Sequence, residues 1–274
     1  MKSLKYLFAI AIAVAIVVPL MMMVTLSLDP DKGHVLSIMG TWRSFVPTEF
    51  SLDNYAAVWA DPFHPFGRYL LNTVLIAASA IALSIFVNSA AAFSLAWGSG
   101  AHRKWLLFLI VAVLAVPGES IVLSQLKIVA GLGLIDTYSV QILPAVANAF
   151  FIFLFYQFFT KLPKELIEAA RVDGLGLFRI YWHIGLPAST PLMVTVSTLQ
   201  FLGIWNSYLW PIMVTRGVEV RPLSVGMSAY FASNLTSWGN VMAFAVCMAV
   251  PVIVFFLTVQ RHFIASITGS SVKG

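Results

Sequence analysis

A chain of 274 residues that is 60% hydrophobic and only 10% charged is not a water-soluble globule; soluble domains carry about a quarter of their residues as Asp, Glu, Lys and Arg. The net charge of +5 comes from basic residues scattered between apolar segments, which argues against nucleic acid as a partner. Cys247 is the single cysteine and excludes an intrachain disulfide framework, and the histidines (His34, His64, His102, His183, His262) lack metal-ligand spacing, so no metal site is expected.

A spanning helix needs roughly 20 apolar residues to cross a hydrocarbon core about 30 Å thick, and its backbone must be satisfied internally. Lys2 and Lys5 precede an uncharged run over 6–27. That run exceeds the roughly 7–15 apolar residues of a signal peptide, and with no A-x-A site closing it, it is expected to be a retained anchor. Residues 28–68, with Trp42, Trp59 and alternating charges, are expected to form a folded or draped loop. A second uncharged run covers 69–97, and a third, 105–126, contains only Glu119. There, Pro117-Gly118 is expected to kink the helix near its outer end, because proline removes a helix hydrogen bond. Runs over 137–160, 188–215 and 241–260 complete six candidate spans. Asn88 and Asn148 fall inside two of them, where packing is favoured over a binding role.

Orientation follows from the basic residues in the connecting segments. With the N-terminus in the cytoplasm, the inner segments hold ten of the sixteen Lys and Arg, including Arg103, Lys104, Lys161, Lys164, Arg171 and Arg179. Six remain outside: Lys32, Arg43, Arg68, Lys127, Arg216 and Arg221. The expected organisation is an all-α membrane protein with six transmembrane helices and both termini inside. An anchor helix with its outer loop covers 1–68, a five-helix core 69–260, and a cytoplasmic tail 261–274.

Residues 161–187 then form the longest cytoplasmic segment, which is polar for about three helical turns. Pro163 suits a first helical position, and Glu165 and Glu168 favour the positive end of the helix dipole. Leu162, Leu166, Ala169 and Ala170 are expected along one side, with Asp173 after them. Gly174 permits the left-handed backbone that ends a helix. A second segment over 175–184 carries Phe178, Ile180, Tyr181 and Trp182, and Pro187 is expected to break it at the entrance to the fifth span. Two readings stand. The alanines form a small-residue knob that seats in a groove, or the insert lies on the membrane surface with its aromatics among the headgroups.

The spacing E-A-A, G, I-x-L-P, present as Glu168-Ala169-Ala170, Gly174, Ile184 and Leu186-Pro187, resembles the EAA loop of permease subunits of bacterial ABC importers. "GLGLIDTYSVQILP" (131–144), "LPKELIEAARVDG" (162–174), "WNSYLWPIMV" (205–214) and "QRHFIASITGSSVKG" (260–274) are similar to the sugar-type permeases, and the terminal V-K-G to the second permease of maltose-type systems. The resemblance covers roughly 105–274 and agrees only in layout before that. It implies the type I ABC importer permease fold in a bacterial cell membrane, with Glu168, Ala169, Ala170, Asp173, Gly174, Ile184, Leu186 and Pro187 coupling to an ATPase. The implied partners are a second homologous permease, two copies of a cytosolic ABC ATPase that bind ATP and Mg, an extracytoplasmic solute-binding protein that meets the outer loops, and a carbohydrate substrate. The tail residues Val272 and Lys273 would contact the ATPase, or simply end the chain.

No G-x-x-x-x-G-K-[ST] phosphate loop occurs, so ATP hydrolysis is expected elsewhere and no catalytic residue in this chain. Polar residues within spans are candidates for the substrate path. Thr195, Thr198 and Asn206 fall within about 80° of one another on a helix. Gln200 lies on the far side, suited to a helix–helix hydrogen bond. Trp205 and Trp210 are candidates to stack on sugar rings, and all of these residues equally suit interhelical packing or an interfacial belt. The competing classes are a permease for a non-sugar solute and an ion-coupled secondary transporter, for which only Glu119 comes near to supplying an intramembrane carboxylate.

Overall fold

The computed structural model describes residues 2–30, 35, 37–47 and 49–270, and side chains between 5 and 260 of these. Every regular element among the described residues is helical. Three helices are long and apolar enough to cross a membrane: α1 (Lys2–Ser27), α3 (Phe66–Trp97) and α14 (Trp238–Ser270). Between them lie α2 (Asp53–Ala60), α4 (Arg103–Val113), α5 (Gly118–Gly131), α6 (Tyr138–Val146), α7 (Ala149–Phe159), α8 (Lys164–Val172), α9 (Leu177–Ile180), α10 (Leu186–Ala188), α11 (Thr190–Trp205), α12 (Leu209–Val214) and α13 (Leu223–Ser233). α3 has 32 residues, which at 1.5 Å per residue is roughly 48 Å and exceeds a hydrocarbon core. Along the most apolar stretch of α1 nothing is buried within the chain, and Leu7, Phe8, Ile10 and Ile16 are all exposed. A face of that composition is at home in lipid.

Two of the remaining expected spans are bent pairs, which brings the number of spans to five if each pair crosses as one. α4 and α5 meet at 102°, a far sharper turn than a kink near the end of the third span. Pro117, extended at φ −62° and ψ 130°, has no N–H to continue α4, and the helix restarts at Gly118. α6 and α7 meet at 41° across Ala147 and Asn148. The fifth expected span, 188–215, is a 16-residue α11 and a six-residue α12 separated at 206–208. Pro211, three residues into α12, cannot donate back towards Tyr208 or Ser207.

The chain forms two compact units, 1–72 with 221–256, and 73–220 with 257–274. In the first, the described residues between 28 and 65 fold rather than trail. Asn54 is buried and donates to Ser27 O (3.0 Å) and Asp29 O (2.8 Å), which pins α2 to the end of α1. The Phe66 and Phe244 rings meet edge-on at 4.9 Å, and Tyr230 packs on Phe244 at the same distance. The Tyr69 ring fills the space that a Cβ on Gly226 would occupy, so α3 and α13 touch through a glycine.

The second unit is organised around the α6–α7 break. Ala147 and Asn148 are extended, so the carbonyls at the end of α6 lose their intrahelical donors. Asn88 of α3, fully buried, donates to Val146 O (2.8 Å) and accepts from Asn148 N (2.9 Å). Gln200 of α11 donates to Ala145 O (2.7 Å), the helix–helix bond expected of it. Asn148 Oδ1 in turn accepts from Phe150 N (2.9 Å) and Phe151 N (3.3 Å) and caps α7. Polar side chains in apolar spans are here the means by which a bent helix keeps its backbone paired.

Asn88→Leu keeps the volume and removes both bonds, leaving a buried C=O and N–H unpaired at about 1–3 kcal/mol each. Its thermal midpoint in detergent is expected to fall clearly below that of Asn206→Leu, whose exposed amide bonds only to Leu202 O of its own helix. Equal midpoints would show that the break needs no side-chain cap.

Candidate functional site

The insert over 161–187 is built from α8, α9, a π-helical turn (Tyr181–Gly185) and α10. α8 follows Pro163, which stands one position earlier than expected, as the cap residue at φ −56° and ψ 129°. Its end is a full Schellman motif. Gly174 N–H donates to Arg171 O and Leu175 N–H to Ala170 O, both at 3.0 Å, with Gly174 at φ +79°. No atom lies within 4 Å of a Cβ added to Gly174, so the glycine is required by its backbone angle and not by crowding.

The expected single side of Leu162, Leu166, Ala169 and Ala170 is divided. Ile167 and Ala170 are buried in the unit's core with Phe93, Phe155, Phe159 and Ile180, while Leu162 packs at its margin. Leu166 and Ala169 are exposed, and so is Val172 at 88%. A short helix thus seats one apolar face on its own chain and presents a second to the surroundings. Glu168 and Asp173 lie exposed beside that outer face. Ile167 and Val172 carry these faces and escaped the motif-based reading. The i, i+3 spacing of Ile167 and Ala170 would have found the first, whereas nothing in the pattern singles out Val172.

Downstream, Pro187 does not break the chain. Leu186 N–H reaches back five residues to Tyr181 O, the wider π turn takes up the donor that Pro187 lacks, and the path stays helical to Ser189. Ser189 N–H bonds Gly185 O (3.1 Å), and that buried serine, at φ −83° and ψ 6°, separates α10 from α11. Ile184 and Leu186 are half-buried against the core cluster. Pro187 is exposed.

The insert is held to α3 at three points one helical turn apart. Tyr181, 3% exposed, shares a 2.8 Å hydrogen bond with Ser89. Burial raises the Tyr181 phenol above its ordinary pKa and the Ser89 bond opposes this, so the hydroxyl remains protonated near neutrality. Phe93 lies so close to Gly185 that a Cβ there would be 2.6 Å from its ring. Arg171 Nη2 donates to Trp97 O (2.6 Å), and the Trp97 indole donates to Phe159 O (2.9 Å). Ser89, Phe93 and Trp97 share one face of α3 by their i, i+4 spacing.

The path candidates are less open. Thr195 and Thr198 bond back to Pro191 O (3.2 Å) and Val194 O (2.8 Å), as intrahelical threonines do. Trp205 is buried against Phe201 with centroids 5.2 Å apart. Trp210 is half-buried and donates to Val140 O (2.9 Å). Asn206 alone of the set is exposed. Val272 and Lys273 lie outside the described residues.

Asp136 was not legible as a structural hub. It stands at φ +62°, uncommon for a residue with a side chain. Its N–H donates to Val214 O (2.8 Å), and its carboxylate accepts from Arg216 N (2.9 Å) and Gly217 N (3.3 Å). Gln141 continues the clamp by donating to Val220 O (2.8 Å). The start of α6 thereby holds the segment that leaves α12.

Apolar and broken helices with a polar, outward-facing insert fit a membrane transport component. The chain belongs to the family described as binding-protein-dependent transport system inner membrane component, whose profile matches residues 55–269. It is a multi-pass permease of the bacterial inner membrane and not an enzyme. Similar relatives include the arabinooligosaccharides transport system permease protein AraQ of Halalkalibacterium halodurans, 32% identical over 84% of this chain and 82% of the relative. The sn-glycerol-3-phosphate transport system permease protein UgpE of Yersinia pestis is 31% identical, covering 83% of each. A solved bacterial ABC transporter involved in the import of the acidic polysaccharide alginate shares the fold at a TM-score of 0.82, with 22% identity and 96% of both chains covered.

Gly174→Val forces a β-branched side chain into the left-handed region, at about 1–2 kcal/mol, or roughly tenfold in the population of the native turn. Uptake is expected to be lost while the protein level in the membrane stays normal, because no core contact is broken. Gly174→Asn, which tolerates that angle, should retain uptake. Wild-type uptake by the valine variant would show that the turn is not needed.

Proposed function

We propose that this chain is one of two homologous permease subunits of an ABC importer that moves a carbohydrate or close derivative, driven by a separate ATPase docked on the 161–187 insert. The observation that carries this reading is the two-faced α8. Ile167 and Ala170 fix it to the core, and Leu166, Ala169 and Val172 face outward on a helix closed at Gly174. Small and aliphatic side chains on a rigid support suit a groove on a partner, with Glu168 and Asp173 at the rim to set orientation. The motif from Glu168 to Pro187 supports the same assignment. ATP and Mg would be bound by two copies of the ATPase, since this sequence has no phosphate loop of its own.

Six crossings with both termini inside fit the basic-residue distribution and place the insert in the cytoplasm. α11 with α12 would be the short fifth crossing, and the two bent pairs the third and fourth. The anchor, core and tail division at 68 and 260 follows from the same topology. A solute-binding protein would meet the opposite side, in keeping with the family's dependence on one. Named relatives transport arabinooligosaccharides and sn-glycerol-3-phosphate, which supports a sugar-like solute. Asn206, exposed where the chain breaks between α11 and α12, is the foremost candidate to touch it. Thr195, Thr198, Trp205 and Trp210 would need side-chain rearrangement in another state to do so. ATP and the loaded binding protein would shift the populations of inward-open and outward-open states by binding one better than the other.

The complex, purified with its ATPase and binding protein and placed in lipid vesicles, is expected to take up an arabinooligosaccharide or sn-glycerol-3-phosphate only with ATP inside, and to be indifferent to a protonophore. Uptake that collapses with the proton gradient and ignores ATP would establish an ion-coupled transporter instead.

A further inference from the structure

The end of α3 is closed in an unusual way. A helix leaves its last four carbonyls without intrahelical donors. Here Ser94 O accepts from Gly98 N at 2.9 Å. Leu95 O and Ala96 O accept from Arg103 Nε and Nη2, both at 2.6 Å, and Gly98 O from Arg103 Nη1 at 2.7 Å. Arg103 thus spends all three of its guanidinium nitrogens within its own turn. One carbonyl remains, that of Trp97, and its donor is Arg171 of α8, 74 residues away in the chain. Two guanidinium groups also complement the negative end of the helix dipole.

We propose that Arg171 is a positioning residue for transport: it is the strut through which movement of the insert is delivered to α3. This rests on the reading of the insert as the place where the ATPase docks. Arg171 follows the outward Ala169 by two positions and sits within the turn that Gly174 closes, so displacement of α8 pulls directly on the Trp97 carbonyl. The bond is charge-assisted and short, and it lies at the exposed edge of the contact. Tyr181 with Ser89, and Gly185 with Phe93, provide a second and third grip along the same face of α3, so the helix is driven along its length rather than bent at its tip. By contrast, the route from the insert into α11 runs through Ser189, a non-helical cap residue at φ −83° and ψ 6° between α10 and α11. A stiff attachment to α3 and a jointed one to α11 make α3 the element that moves with α8.

The test is the number of solute molecules moved per ATP hydrolysed, measured in vesicles containing the full complex, with whichever of arabinooligosaccharide or sn-glycerol-3-phosphate the unmodified complex takes up. Arg171→Ala is expected to assemble with the ATPase and hydrolyse ATP at near wild-type rates while the ratio falls about fivefold or more. Arg171→Lys, which keeps a cationic donor, should restore most of it. A role in stability alone would lower assembly, hydrolysis and uptake together and leave the ratio unchanged. An unchanged ratio in Arg171→Ala overturns the strut. If that variant fails to assemble, Arg171→Met decides: it keeps the aliphatic stem and removes every donor to the Trp97 carbonyl, and a wild-type ratio there likewise overturns the proposal. Failure of the underlying reading is seen separately, in an unmodified complex that holds no ATPase at the insert.

Discussion

The constraint on which the second unit depends is that a backbone in lipid has no water to bond. A straight helix satisfies this by itself, but this chain bends its helices and ends α3 against the insert. At the α6–α7 break and at the end of α3 the departure is matched by side chains from elsewhere in sequence. Asn88 and Gln200 serve the break before α7, and Arg103 and Arg171 serve the end of α3. Each unmet group would cost about 1–3 kcal/mol, a large fraction of a domain's net stability. Polar residues in apolar segments invite functional readings. Here most are accounted for by structure, which narrows the search for residues that meet the solute to those with side chains left exposed.

The same accounting explains what could be read in the sequence. Composition and charge-free runs located α1, α3 and α14, because length and hydropathy are local properties. The insert was legible through a spaced motif whose residues each have a local job: Gly174 closes a helix, and Ile184 and Leu186 pack inward. Direction was not legible. Pro117 signals an interruption, but no local pattern gives the 102° angle at which α4 and α5 meet. Pro187 looked like a stop, yet a π turn absorbs its missing donor. Arg171 and Asp136 could not be found from pattern, because each bonds to backbone groups 74 and about 80 residues distant, and a carbonyl leaves no signature in a side-chain code.

Splitting the two alanines has mechanical content. An insert that met its partner with one face and lipid or water with the other would be a tethered peptide, able to tilt without moving the bundle. α8 instead buries Ile167 completely and Ala170 almost so, with phenylalanine rings from α3 and α7 around them. Interiors packed to crystal-like density transmit displacement instead of absorbing it. The small size of Ala169 lets a partner approach closely, and that of Ala170 lets the helix lie close on its own core. An E-A-A run is therefore two adjacent contacts facing different ways, joined by one peptide bond.

An insert clamped to α3 at Ser89, Phe93 and Trp97 turns a question about a loop into one about a span. α3 runs for 32 residues with no internal proline, unlike α1 with Pro19 and α14 with Pro251, and its neighbours α4, α7 and α11 are short or begin at breaks. A long continuous helix moves as a lever, whereas broken helices yield at their joints. Asn88 sits one position before Ser89 on this lever and holds the α6–α7 break directly. Any shift of α3 that carries Asn88 must therefore take the joint with it or give up two buried hydrogen bonds. The arrangement favours movement of α3, the joint and the insert as one body.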